Sequence, residues 1–150
     1  DWMPHGRHSI ERDVFPKLAD ENLLNGKRFD GYFIDAGTPT AWMEGVQRCI
    51  AEKRFNAGEA VDGTWYAQQS DFPTSAITGS MIEADVALMN AQIHTSTLLR
   101  GVRVGANSHL KNCLVGRNAS IGSNVSLDGV VVDHECTVPD DTVQVGGQWP

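Results

Sequence analysis

Aliphatic residues recur along the last third of the chain at a spacing that fits neither a helix nor a flat strand. Between Ile93 and Val143 they fall in blocks of seventeen. IHTSTLLRGVRVGANSH (93–109), LKNCLVGRNASIGSNVS (110–126) and LDGVVVDHECTVPDDTV (127–143) stack with their apolar positions aligned. Ile93, Leu110 and Leu127 form one column, Leu98, Val115 and Val132 a second, and Val104, Ile121 and Val138 a third. The steps run five, six and six residues, then repeat. A strand alternates with period two and a helix returns every 3.6 residues. A five-six-six cycle describes instead a coil with three short faces, each turning an aliphatic side chain toward a common axis. The residue two places earlier is mostly small or β-branched (Ala91, Ser96, Val102, Ser108, Cys113, Ala119, Val125, Val130, Cys136), which suits a second inward position. Three places after several column members stands Gly101, Asn107, Asn118, Asn124 or Asp141. These residue types reach positive φ at least cost and mark corners. Coils stacked at strand spacing lie about 4.8 Å apart, and each needs a neighbour or a cap to cover its apolar rim.

Upstream the pattern changes. Ser9 is placed to cap a helix from Ile10 toward Asp20, with Val14, Phe15 and Leu18 as its buried side and Pro16 kinking it or ending its first part. Asn25-Gly26 predicts a turn, and the aromatic-rich Arg28–Ile34 predicts a strand. Thr38-Pro39 then opens a second helix, from about Thr40 to Arg54, with Trp42, Val46, Cys49 and Ile50 as its apolar stripe. Residues 56–80 hold Gly58, Gly63, Pro73 and Gly79 without sustained periodicity, and read as a linker with short extended pieces. Trp65, Tyr66 and Phe72 within it are candidates to pack over the open end of the coil stack. Met81–Asn90 reads as a degenerate first coil. Trp149 either caps the last coil or stands exposed in the tail.

The pairs Val104-Gly105, Val115-Gly116 and Ile121-Gly122 sit inside this array. Together they resemble the hexapeptide-repeat, left-handed parallel β-helix. The expected fold is an α/β segment followed by that left-handed parallel β-helix (hexapeptide repeat), divided at 1–55, 56–80 and 81–150.

Composition narrows the function classes. An apolar share of 41% and a charged share of 21% suit a globular chain. A net charge of -7 without a basic run argues against nucleic acid as a partner. No stretch approaches the roughly 18 apolar residues of a membrane helix, and none reads as a secretory signal. Cys49, Cys113 and Cys136 have neither metal-ligand nor disulfide-framework spacing, and Cys113 and Cys136 take inward coil positions. These features favour a cytoplasmic protein that meets no membrane. The chain opens on Asp1 without an initiator Met, which points to part of a longer protein.

Candidate chemistry lies in the first segment, where Glu11, Asp13, Asp30 and Asp35 are the acidic residues of interest. Asp35 ends an apolar run and precedes a glycine and a helix start. A carboxylate there can hold a hard cation such as Mg2+, given further ligands, or accept hydrogen bonds from the helix-start backbone. Glu11 and Asp13 fall in the first turn of a predicted helix, where carboxylates also simply suit the dipole.

A closer resemblance rests on two stretches. Ser9-Ile10-Glu11-Arg12-Asp13-Val14-Phe15-Pro16 and Gly31-Tyr32-Phe33-Ile34-Asp35-Ala36-Gly37-Thr38-Pro39 resemble the end of the catalytic domain of sugar nucleotidyltransferases, mannose-1-phosphate guanylyltransferases in particular. The resemblance covers about 9–55 and 90–143. It implies that 1–55 is the C-terminal edge of such a catalytic domain, that Asp35 is a metal ligand for Mg2+, and that Glu11 lies near the sugar-phosphate side. It implies a sugar 1-phosphate and a nucleoside triphosphate as substrates, and a homo-oligomer built through the β-helix. The glycine-rich nucleotide loop with its Arg and Lys, the second metal aspartate and most of the parallel sheet are absent from this sequence. The chain alone is therefore expected to be inactive, with the missing part supplied by a longer product or a partner chain. The alternatives are a hexapeptide-repeat acyltransferase, with His94, His109 or His134 as a general base, and a non-catalytic assembly module. For assembly, Leu99, Leu114 and Val131 fall outside the inward columns and suggest an outer contact patch.

Overall fold

The computed structural model describes Met3, residues 5–68 and residues 75–150. It separates into two compact units, 1–33 and 34–150. The second is an α-helical approach followed by a left-handed parallel β-helix of the hexapeptide-repeat type, as the columns imply.

Each column becomes the spine of one face. Ile93, Leu110 and Leu127 pair in register, as do Leu98, Val115 and Val132, and Val104, Ile121 and Val138. All nine are essentially removed from solvent. The three faces form sheets of seven, four and five strands among the described residues. The first face runs through Thr64–Tyr66, Met81–Ile82, Thr97–Leu98, Leu114–Val115, Val131–Val132 and Gln148–Trp149. Its strands pair in parallel, as a coil that advances one layer per turn requires.

The second inward positions have a polar logic beyond small size. Ser96 Oγ donates to the His94 carbonyl at 2.8 Å and accepts from the Cys113 N–H at 3.0 Å. Ser80 Oγ does the same between the Thr78 carbonyl and the Ser96 N–H, whereas Ser108 Oγ makes both bonds to the next coil, donating to the Gly122 carbonyl at 2.8 Å and accepting from the Val125 N–H at 3.1 Å. A buried backbone group left unpaired costs about 1–3 kcal/mol. A short hydroxyl at this position therefore satisfies corner groups that the face hydrogen bonds miss. Cys113 takes the same place, fully buried, and burial pushes its thiol pKa up.

The corner residues adopt positive φ. Gly101, Asn107, Asn118, Asn124 and Asp141 lie between 56° and 76°. A second series lies two places past the other face and includes Thr95, Asn112 and Gly129. The chance of reading that series from sequence is reduced by Thr95, a β-branched residue in a conformation it seldom adopts.

Several upstream expectations differ from the structure. Residues 56–80, read as a linker, carry strands that join the faces: Thr64–Tyr66 pairs with Met81–Ile82, and Ala76–Thr78 with Gln92–His94. Glu59–Val61 folds back antiparallel on Thr64–Tyr66 through Asp62-Gly63, both at positive φ. That hairpin covers the first-face edge, and Asp-Gly between two β-prone triplets was its available signal. Met81–Asn90 is a coil. Trp65 stacks on Phe55 with ring centroids 4.4 Å apart, and Tyr66 packs on the core. Phe72 lies outside the described residues. Trp149 caps: it packs against the core, and its indole N–H donates to the Thr137 carbonyl at 3.1 Å.

Arg28–Ile34 is not a strand. Phe29 and Phe33 are 74% and 76% exposed. A strand needs a partner for its N–H and C=O groups, and none of the described strands pairs with this segment. The turn falls at Glu21-Asn22, with Asn22 at φ 56°, rather than at Asn25-Gly26. The first predicted helix begins as a π-helical turn, Ile10–Val14, before α1, Phe15–Asp20. Pro16 sits in the first turn of α1, where its missing N–H costs nothing. Ser9 caps as expected, its Oγ accepting from the Arg12 N–H at 3.4 Å while Asp13 accepts from the Ser9 N–H at 2.7 Å. Val14 is buried, but Phe15 is exposed.

The second helix, α2, spans Pro39–Ala51. Its stripe packs Val46 and Ile50 against Met81, with Trp42, Phe55 and Trp65 alongside. Gln47 adds a hydrogen bond from Nε2 to the Gly79 carbonyl at 2.6 Å. Gly45 faces Ile34, where a Cβ would come within 2.9 Å of the Ile34 Cδ1. The approach Ile34–Phe55 is thus packed onto the β-helix unit.

Candidate functional site

The loop from Asp35 to Pro39 is shaped by two local hydrogen bonds. Asp35 Oδ1 accepts from the Gly37 N–H at 3.2 Å, tightening the turn. Thr38 Oγ1 accepts from the Ala41 N–H at 3.2 Å, capping α2, and Pro39 fills the first helical position. Thr38→Ala is expected to lower the stability of this unit by about 1 kcal/mol, read as a shift in the urea midpoint with an unchanged slope.

This loop and Trp42 form one wall of a cleft of about 400 Å³. Leu99, Leu114 and Val131 line it from the outer surface of the first face. These are the residues whose outward apolar pattern suggested a contact patch, and in the structure they contribute to the cleft floor. Asp133 and His134 stand at the polar rim. Asp133 Oδ1 accepts from the His134 N–H at 2.8 Å, and His134 Nδ1 accepts from the Arg117 N–H at 2.8 Å. The arrangement offers a mostly apolar floor with a polar edge, suited to holding a group in place.

Asp35 itself faces a neighbouring hollow with Ala41, Glu44 and Arg48. Its carboxylate is exposed, and one oxygen is engaged by Gly37. Among the described residues no three His, Cys, Asp or Glu side chains gather as a metal site. Asp35 alone therefore does not amount to a Mg2+ site. Glu11 lies in the π-helical turn of the first unit and is exposed. Asp35 belongs to the second unit. Asp13 accepts from the Ser9 N–H in the helix cap, and Asp30 pairs with Arg28 at 2.7 Å on the exposed surface.

The three histidines of the repeats, His94, His109 and His134, occupy different places. His94 Nδ1 is 2.6 Å from Thr78 Oγ1, His134 pins a corner, and His109 is exposed at the start of the strand His109–Lys111.

Residues 65–148 match the GlmU-like, C-terminal hexapeptide family. The chain belongs to that family. Its C-terminal hexapeptide domain resembles those of sugar nucleotidyltransferases and links this family member to the NDP-sugar pyrophosphorylases at family level. A mannose-1-phosphate guanylyltransferase catalytic subunit beta from Danio rerio is 28% identical over 93% of this hexapeptide-family chain and 41% of its own length. A glucose-1-phosphate adenylyltransferase from Haemophilus influenzae is 24% identical over 95% of this chain and 37% of its own. The chain spans about two fifths of the length of these relatives. A serine acetyltransferase from Entamoeba histolytica, solved with cysteine, aligns with TM-score 0.39 and 14% identity, covering 75% of this chain and 49% of that one. A likeness at that level carries no argument about function. No helix among the described residues is long and apolar enough to cross a membrane.

Proposed function

We propose that this chain is the C-terminal portion of an NDP-sugar pyrophosphorylase, of the mannose-1-phosphate guanylyltransferase type. The observation that carries the reading is the alignment with the Danio rerio protein along 93% of the chain, a span too long to be accounted for by the β-helix alone. In the complete enzyme, an oxygen of the sugar 1-phosphate attacks the α-phosphorus of a nucleoside triphosphate. The bond from that phosphorus to the bridging oxygen breaks, pyrophosphate leaves, and the NDP-sugar forms. Glu11 borders the sugar-phosphate side and Asp35 the metal side, with the other ligands coming from outside this chain. The β-helix serves assembly or regulation, and the 150 residues alone are inactive. The exposed Phe29 and Phe33 favour this reading, because an aromatic-rich segment without a partner strand suits the edge of a larger sheet.

The test is the intact mass and activity of the natural gene product, purified from its source. At about 0.11 kDa per residue, a catalytic domain plus this β-helix weighs roughly 40 kDa. That mass, with pyrophosphate released from GTP and mannose 1-phosphate, is the expected result. Asp35→Asn in that product should raise the Mg2+ concentration needed for half-maximal activity. A natural product of 16.3 kDa that makes no NDP-sugar with any partner chain would overturn the reading.

A further inference from the structure

A second hollow, of about 390 Å³, lies at the corner that follows the first face. It is lined by Trp65, Ala67, Glu83, Ala84, Arg100 and Arg117, and shares no lining residue with the cleft beside Ala36–Pro39. Backbone bonds set its register. Gly101 donates to the Ala84 carbonyl at 3.1 Å, Asn118 to that of Arg100 at 2.9 Å, and Glu135 to that of Arg117 at 2.8 Å. Ala84, Arg100, Arg117 and His134 therefore stand above one another on consecutive coils. Two guanidinium side chains leave the backbone about 4.8 Å apart, with a small alanine beneath them.

The backbone carrying these arginines is fixed on both sides. The Arg100 N–H donates to Glu83 Oε2 at 2.8 Å, and the Arg117 N–H to His134 Nδ1 at 2.8 Å. Among the described residues neither guanidinium has an acidic partner. The ion pairs among the described residues use Arg28, Arg48, Arg54 and Lys111. Among the described residues Glu83 is the one carboxylate lining the hollow, and one of its oxygens is held by the backbone. Two like charges at this separation repel, and a chain of net charge -7 concentrates them in a concave site. A tetrahedral dianion answers that arrangement, since each planar guanidinium can present a pair of N–H donors to its oxygens. Glu83 offsets one of the two charges, so the preference for phosphate over a carboxylate rests on its larger number of acceptor oxygens, enough for both guanidinium forks at once.

We propose that the Arg100–Arg117 hollow binds a phosphate group, free or carried as a monoester on a small molecule. The site lies wholly on the β-helix unit and is independent of the nucleotidyl-transfer reading.

The test is an NMR titration of the 150-residue chain, following the arginine side-chain and backbone N–H signals. Sodium phosphate and methyl phosphate are added separately, against sodium chloride at matched ionic strength. The expected result is saturable movement of Arg100 and Arg117 with half-saturation near about 1 mM or below. Arg100→Gln and Arg117→Gln should each weaken binding about tenfold or more while leaving the melting temperature unchanged. Glu83→Gln, which keeps an acceptor for the Arg100 N–H, should tighten it. Tighter binding of methyl phosphate assigns the site to a phosphomonoester, and equal binding to the phosphate group alone. The same response to chloride, no saturable movement, or full binding by either glutamine variant overturns the proposal.

Discussion

Leu110→Ala should lower the unfolding free energy by about 3 kcal/mol, because the truncation leaves a cavity where the coil cannot close up. Leu110 is 1% exposed and lies between Ile93 and Leu127 in their shared column. Its neighbours are held at strand spacing by ladder hydrogen bonds on both sides. Collapse of the cavity would have to bend that ladder. The loss should appear as a lower urea midpoint, and as faster amide exchange in the coils on either side of Leu110, because a stacked coil is stabilised mainly by its neighbours. His109→Ala, on the outward side of the same strand, should change stability by no more than about 0.5 kcal/mol. Equal effects for the two substitutions would mean that the inward column is not the core.

Gly116→Ala should cost about 2–3 kcal/mol, for a steric reason. A Cβ on Gly116 would come 2.6 Å from the His134 nitrogen and 2.7 Å from the Asp133 carbonyl carbon. These are backbone atoms of the next coil, so no side chain can swing away. The two coils must separate locally. Doing so stretches the bonds from Gly116 N–H to the Val132 carbonyl at 2.9 Å and from Glu135 N–H to the Arg117 carbonyl at 2.8 Å. Amide exchange at those two positions should quicken more than elsewhere. Gly26→Ala is the control: a Cβ there meets nothing within 4 Å. Its effect should stay within about 0.5 kcal/mol. A Gly116→Ala chain as stable as the parent would show that the coils are not stacked at the observed spacing. Gly105 and Gly122 face the next coil's backbone in the same way. The aliphatic-glycine pairs of the sequence thus join two requirements, an inward side chain to fill the axis and then a bare Cα to let the coils close.

The candidate site was legible only in part. The Asp35–Pro39 segment announced its helix start, because a threonine cap and a proline act within one turn and need no distant partner. The cleft beside it did not. Leu114 and Val131 could be placed outside the inward columns, yet their position opposite Trp42 depends on how α2 packs across residues 72 and 89 positions away in sequence. The Arg100–Arg117 hollow was also hidden, since neither arginine belongs to a local motif. They meet through a repeat length, and Trp65 and Ala67 close the hollow from a stretch that reads as a linker.

The sequence by itself determined the three-faced coil, its register, its first corner series and the inward residues. A seventeen-residue cycle repeats the same local demands on each layer, so three layers report one geometry three times. Tertiary structure alone decided where the β-helix begins, what α2 covers, and why Arg28–Ile34 stays without strand pairing. The first strands continue the aliphatic columns only through Ile77, which pairs with Ile93, while Tyr66 takes the place beside Ile82; both strands are held by pairing with later coils, Thr64–Tyr66 on Met81–Ile82 and Ala76–Thr78 on Gln92–His94. Arg28–Ile34 has strand-forming residues but no paired edge among the described strands. A strand is a property of two segments, and half of its hydrogen bonds cannot be read from one.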